Sequence, residues 1–152
     1  MKKILPQLIF ISGLIAFLTL FFQTFTYQGE TVPGSAFVLE GTLHNLTIGG
    51  ESVSTAEMVR NPLIMLAFIL PLIGGGFAIY NAKLSFVSVI GFIVGAAFLY
   101  VGIDTAEISY TILGGSFTTS VPIEYGTGAI IYYIASGIGA LLSLGVIIDE
   151  AT

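Results

Sequence analysis

The most versatile side chain for catalytic or metal chemistry in this chain is His44, the single histidine in 152 residues. Glu40 and Glu51 are its nearest acidic neighbours, and an imidazole with two carboxylates is a donor set that zinc accepts. A Ser–His–Asp arrangement would need the same imidazole, and haem ligation by two histidines of one chain is excluded. There is no cysteine, which removes disulfides, thiolate nucleophiles, thiolate metal sites and lipidated cysteines together. The glycine clusters Gly74-Gly75-Gly76 and Gly114-Gly115 lie in apolar or alternating stretches, not in a phosphate-binding fingerprint. Asn45-Leu46-Thr47 is a glycosylation sequon, which matters only in a cell that glycosylates asparagine. The residues therefore assign no catalytic, cofactor-binding or metal position, and the chain reads as a non-enzyme without a cofactor.

The elements that carry these residues are set by two apolar runs, Pro62–Tyr80 and Ser85–Ile103. Each is long enough for a helix of roughly 28 Å, close to the ~30 Å hydrocarbon core of a bilayer. Between them only Lys83 is charged, in the short turn Tyr80-Asn81-Ala82-Lys83-Leu84. The pair is thus an antiparallel helical hairpin whose tip is cytoplasmic by the positive-inside rule. Segments 4–27 and 127–148 supply two further spans, leaving outer loops at 28–61 and 104–126. The apolar run after Lys3 is longer than a signal-peptide core, and no small-x-small cleavage site follows Phe22, so it reads as an anchor. Apolar residues make up 55% of the chain and charged residues only 9%, against about 25% in a soluble domain.

The net charge of −5 is unevenly spread. Glu30, Glu40, Glu51, Glu57, Asp104, Glu107 and Glu124 fall outside with Arg60. Lys2, Lys3 and Lys83 fall inside with Asp149 and Glu150. An acidic outer face argues against nucleic acid as a partner. No Asp, Glu, Lys, Arg or His lies within a span, so proton relays, coupled transport and voltage sensing lack their usual groups. Tyr27, Tyr80, Tyr100 and Tyr125 fall near span boundaries, where amphipathic rings anchor.

The outer loops carry strand signals. Phe37–Glu40 and Leu43–Ile48 read as strands around Gly41-Thr42, with Gly49-Gly50 breaking the pattern. Ser54-Thr55-Ala56-Glu57 fits a capping box, predicting a helical turn that ends at Asn61-Pro62. In the second loop, Ile108, Tyr110 and Ile112 alternate with polar residues, as do Phe117, Thr119, Val121, Ile123 and Tyr125. A turn at Gly114-Gly115 pairs Ile112 with Phe117, Tyr110 with Thr119 and Ile108 with Val121, and puts the large apolar groups on one face. Pro122 cannot donate to a ladder and belongs at an edge. The fold class expected is a membrane all-α four-helix bundle with a small extracellular antiparallel β-sheet of about four strands.

Small residues mark the helix contacts. Gly74, Gly75 and Gly76 follow Pro71 in the second span, Gly91 and Gly95 form a small-xxx-small motif in the third, and Ala135 and Gly139 form another in the fourth. Such faces let helices approach closely in lipid. Pro71–Gly76 also reads as a hinge or as the lining of a permeation path.

Four spans, inner termini, a longer strand-bearing first loop and a shorter strand-bearing second one resemble the claudin-type tetraspan plan. The likeness is one of topology: this chain has neither the tryptophan nor the cysteine pair of that family's first-loop signature, so no functional residue carries over. It implies an outer sheet used for contacts, with Phe37, Leu39, Tyr110, Ile112, Phe117 and Val121 as the interacting residues. The expected function is a non-enzymatic scaffold or accessory subunit in the cell membrane, whose partners are the lipid bilayer, other membrane subunits or copies of itself. The alternative is a small oligomeric channel with Pro71–Gly76 lining its path.

Overall fold

The computed structural model describes residues 4–49 and 51–151, without the side chains of His44, Glu51 and Ser52. Lys2, Lys3 and Gly50, which entered the charge and turn readings above, lie outside the described residues. In chain order the elements begin with α1 (Leu5–Leu18), continued by a 3-10 turn at Thr19–Phe21, then β1 (Phe25–Tyr27) and β2 (Glu30–Val32). Next come α2 (Ala36–Leu39), β3 (Thr42–Ile48), β4 (Glu51–Met58) and α3 (Pro62–Tyr80). A 3-10 turn at Ala82–Leu84 leads into α4 (Ser85–Asp104), followed by β5 (Glu107–Ile112), β6 (Gly115–Ser120), β7 (Glu124–Tyr125) and α5 (Thr127–Ala151).

α3, α4 with its preceding turn, and α5 are long and apolar enough to cross a membrane; Leu5–Phe21 is a shorter apolar helix. α1 packs on α3 and α5, and α4 packs on the same two, so the helices form a closed ring of neighbours. Their outward faces are apolar as well: Ile73, Ile90, Ile93, Ile134 and Leu141 are each about half exposed or more. The inward faces are made largely of small residues and a few aromatics, among them Gly13, Ala67, Gly74, Gly91, Gly95 and Ala135 with Phe68, Phe92 and Tyr132. This is the reverse of a water-soluble helix, which turns its polar face outward.

All strands lie between helix ends and form two antiparallel sheets, ordered β2-β1-β7 and β3-β4-β5-β6. The four-stranded sheet matches the expected strand number, and a second sheet stands beside it. Several local expectations are overturned. The first apolar helix stops at Phe21, not Tyr27. There the Thr24 hydroxyl, fully buried, donates to the Thr19 carbonyl at 2.6 Å and accepts from the Gly34 amide at 3.1 Å, turning the chain into β1. Phe37–Glu40 is not a strand: Ala36–Leu39 makes a helical turn closed by Glu40 in the left-handed region. A four-residue apolar run does not distinguish the two states. Here burial of Phe37 edge-on against Phe25, with ring centroids 5.3 Å apart, decides it.

Ser54–Glu57 forms no helical turn. It lies in β4, paired on one side with Leu46–Thr42 and on the other with Ile112–Ser109. A capping box is a weak local signal, and two flanking ladders outweigh it. The β5–β6 hairpin turns one residue earlier than expected, at Leu113-Gly114, whose φ values of 49° and 85° are those of a type I′ turn. Tyr110 therefore faces Phe117, Ile108 faces Thr119 and Ile112 faces Gly115. The shift moves each partner by two residues, so the expected face is kept although the register is not. β6 ends at Ser120; Val121 and Ile123 pack on the core and Pro122 lies between strands, while Glu124–Tyr125 crosses to β1 in the other sheet.

Candidate functional site

Most of the small residues of the helices are consumed by contacts within the chain. A Cβ on Gly74 would stand 3.0 Å from Ser88 Cα, one on Gly75 2.9 Å from Phe10 Cα, and one on Gly91 2.8 Å from the Leu70 carbonyl. Gly95 faces the Tyr132 hydroxyl, the Ala67 carbonyl and Pro71 Cδ, all within 3.0 Å of such a Cβ. Gly139 lies under the Phe92 ring, and Gly13 lies against the Pro71 carbonyl. Ala135 is buried, whereas Gly76 faces open space and is no helix contact.

Three buried polar side chains, Tyr132, Ser88 and Asn61, make contacts that escaped the sequence reading. Pro71 has no amide to give to the carbonyl four residues before it, that of Ala67. The Tyr132 hydroxyl, from α5, donates to that carbonyl at 2.7 Å, and Gly95 leaves the room for it. The signal lay in the proline itself: counting back four residues from Pro71 identifies an acceptor that something else must satisfy. Ser88 donates similarly across to the Gly74 carbonyl at 2.6 Å. At the sheet end, buried Asn61 caps α3 through Oδ1, which accepts from the Leu63 and Ile64 amides at 3.0 and 3.3 Å. Its Nδ2 donates to the Gly102 carbonyl at 3.0 Å and to Thr105 Oγ1 at 3.2 Å, tying the start of α3 to the end of α4.

Of the residues expected to make outer contacts, Phe37 is fully buried in the core, Leu39 is exposed at the end of α2, and Val121 is outside any strand. Tyr110, Ile112 and Phe117 sit together in the four-stranded sheet, with the Tyr110 and Phe117 rings stacked at 5.3 Å. The two sheets touch where the Tyr27 and Tyr110 hydroxyls meet at 3.3 Å. That hydrogen bond, aided by burial, holds the Tyr27 phenol proton above its ordinary titration range. A cleft of about 370 Å³ opens there, lined in part by Glu30, Leu43 and Ser54. A second, mostly apolar groove of about 490 Å³ lies where α1 ends beside α5, with Phe21, Phe22, Pro33 and Ile131 in its wall. Arg60 and Glu40 approach at 3.7 Å, both largely exposed, a pairing that contributes little.

Among the described residues no three His, Cys, Asp or Glu side chains gather as metal ligands. Any His44–Glu51 contact lies outside the described side chains. Ile112, Leu113 and Phe117 stand exposed at the end of the β5–β6 hairpin, and every residue of β6 is exposed. No protein-family profile, curated protein or solved structure matches the chain.

Proposed function

We propose that the chain is a four-span membrane scaffold or accessory subunit, built on the claudin-like plan, that assembles through its outer sheet. The helix faces support the membrane placement. Large aliphatic side chains cover the outside at mid-helix, a surface that water would penalise and hydrocarbon accepts. Leu5–Phe21 is short for a span, but its 3-10 turn lengthens it to about 27 Å. Lys83 at the helical hairpin supports a cytoplasmic position for that end and, with it, for both described chain ends, with the sheets on the outer side.

The observation that carries the assembly reading is that the helix glycines Gly74, Gly75, Gly91, Gly95 and Gly139 are already covered within the chain, leaving only Gly76, Gly137 and Gly145 open, while Ile112, Leu113 and Phe117 at the end of the β5–β6 hairpin stand exposed. Lateral contacts therefore fall to the sheet more than to the helices. A channel path through one subunit would need Pro71, Gly74 and Gly75 uncovered, and all three are buried against neighbouring helices.

Extraction of the chain from native membranes in mild detergent, with cross-linking before solubilisation, tests this reading. The expected result is an assembly heavier than one chain, together with planar bilayers that stay silent at every potential. A strictly monomeric chain without a partner overturns the scaffold. Steady conductance altered by Gly76→Leu, at a glycine whose substitution meets no neighbour, establishes the channel instead.

A further inference from the structure

Each edge of the two sheets but one is blunted. β3 carries register irregularities between Thr42 and His44 and between Leu46 and Thr47. β2 contains Glu30, and β7 is only Glu124–Tyr125. β6, Gly115-Ser-Phe-Thr-Thr-Ser120, has no charge, no proline and no irregularity along its pairing with β5. Natural edges normally carry one of those devices, because an open ladder invites another strand.

The ladder's parity shows which groups are open. In a hairpin with a two-residue turn the flanking pair, Ile112 and Gly115, exchanges hydrogen bonds, and such pairs then alternate. Gly115, Phe117 and Thr119 thus spend their backbone groups on β5. The neighbouring bonds agree: the Val121 amide donates to Ala106 on this side of β5, and the Leu113 amide donates to Val53 on the other. The amides and carbonyls of Ser116, Thr118 and Ser120 point away from the sheet. Only the Ser120 carbonyl has a further contact, with the Thr119 hydroxyl at 3.4 Å.

We propose that β6 pairs antiparallel with β6 of a second copy of this chain, Thr118 opposite Thr118 and Ser116 opposite Ser120, joining two four-stranded sheets into one. This rests on the scaffold reading and names its partner. Every outward backbone group then meets a counterpart, and the contact closes on a two-fold axis. The occupant follows from the strand itself, which is its own complement in this antiparallel register and carries no charge, so that two copies meet along it without the carboxylate repulsion their outer faces otherwise exert.

Leu113 is the second observation. It holds φ at 49° with 83% of its surface exposed, a conformation that suits glycine or asparagine and a surface that buries nothing within one chain. In the proposed register it projects toward Pro122 and Ile123 of the copy, where an apolar side chain is useful.

The test uses the full chain in native membranes, with Thr118→Cys and, at the opposite edge of the sheet, Leu46→Cys, each oxidised by copper–phenanthroline. Facing Cα atoms in a hydrogen-bonded antiparallel pair are about 5.5 Å apart, within disulfide reach. The expected result is a disulfide-linked dimer for Thr118→Cys and none for Leu46→Cys. Thr118→Lys, whose side chain is exposed in the single chain, is expected to abolish the dimer with the fold intact by circular dichroism. Leu113→Asn relieves the turn and is expected to weaken the dimer about tenfold. Equal linkage at both positions, or a dimer indifferent to Thr118→Lys and Leu113→Asn, overturns the pairing. A heavier assembly in which the Thr118→Cys chain never joins its own copy overturns self-pairing and leaves the scaffold standing. A monomer throughout overturns both.

Discussion

Asn61→Ala is expected to destabilise the chain by about 2–4 kcal/mol, the sum of a lost helix cap and lost buried hydrogen bonds. The side chain is 6% exposed and serves two helices at once. Oδ1 caps α3, and Nδ2 holds the last turn of α4 through Gly102 and Thr105. Substitutions separate these roles. Asn61→Asp retains the cap, for which aspartate is as good as asparagine. It places a carboxylate where a donor had faced the Gly102 carbonyl, so the loss should approach that of alanine. Unfolding in mixed micelles by sodium dodecyl sulfate titration, followed by circular dichroism, measures both. An aspartate variant as stable as the parent would reduce Asn61 to a cap and remove its role between α3 and α4.

Tyr132→Phe is expected to cost about 1–2 kcal/mol by leaving the Ala67 carbonyl without a donor. The carbonyl lies under Gly95, and the Tyr132 ring itself packs edge-on against Phe68 with centroids 5.0 Å apart. The proline origin of the vacancy makes a sharper statement. Pro71→Ala restores an amide that the Ala67 carbonyl can accept from within α3. In that background Tyr132→Phe should lose less, giving a coupling of about 1 kcal/mol in a double-mutant cycle. Strict additivity would mean that the hydroxyl and the proline are unrelated.

How far these contacts could be read beforehand differs by element. The α3–α4 hairpin was plain, because bilayer thickness fixes a length and Lys83 marks a turn that no other charge competes with. The alternation of Ile108, Tyr110 and Ile112 placed the hairpin face correctly. Its register escaped because Gly114-Gly115 offers two turns, and the one used puts Leu113, a residue poorly suited to positive φ, at the first central position. Ser54–Glu57 carried a helix-start pattern and a strand pattern in the same letters, and only pairing with β3 and β5 separates them. Thr24 acts through Thr19 and Gly34 on either side of a turn, and Tyr132 through a partner far away in sequence. Of these only the Ala67 carbonyl left a local trace, in the proline four residues on.

In the proposed topology the sheets lie outside and the helical hairpin's tip inside, and a chain without cysteine lets this be tested on a silent background. Ser116→Cys and Glu150→Cys, both exposed and at opposite ends of the structure, are treated in intact cells with a membrane-impermeant maleimide. The expected result is labelling at position 116 before permeabilisation and at position 150 only after it. Labelling at 150 in intact cells, or none at 116, would contradict the four-span arrangement from which the assembly surface follows.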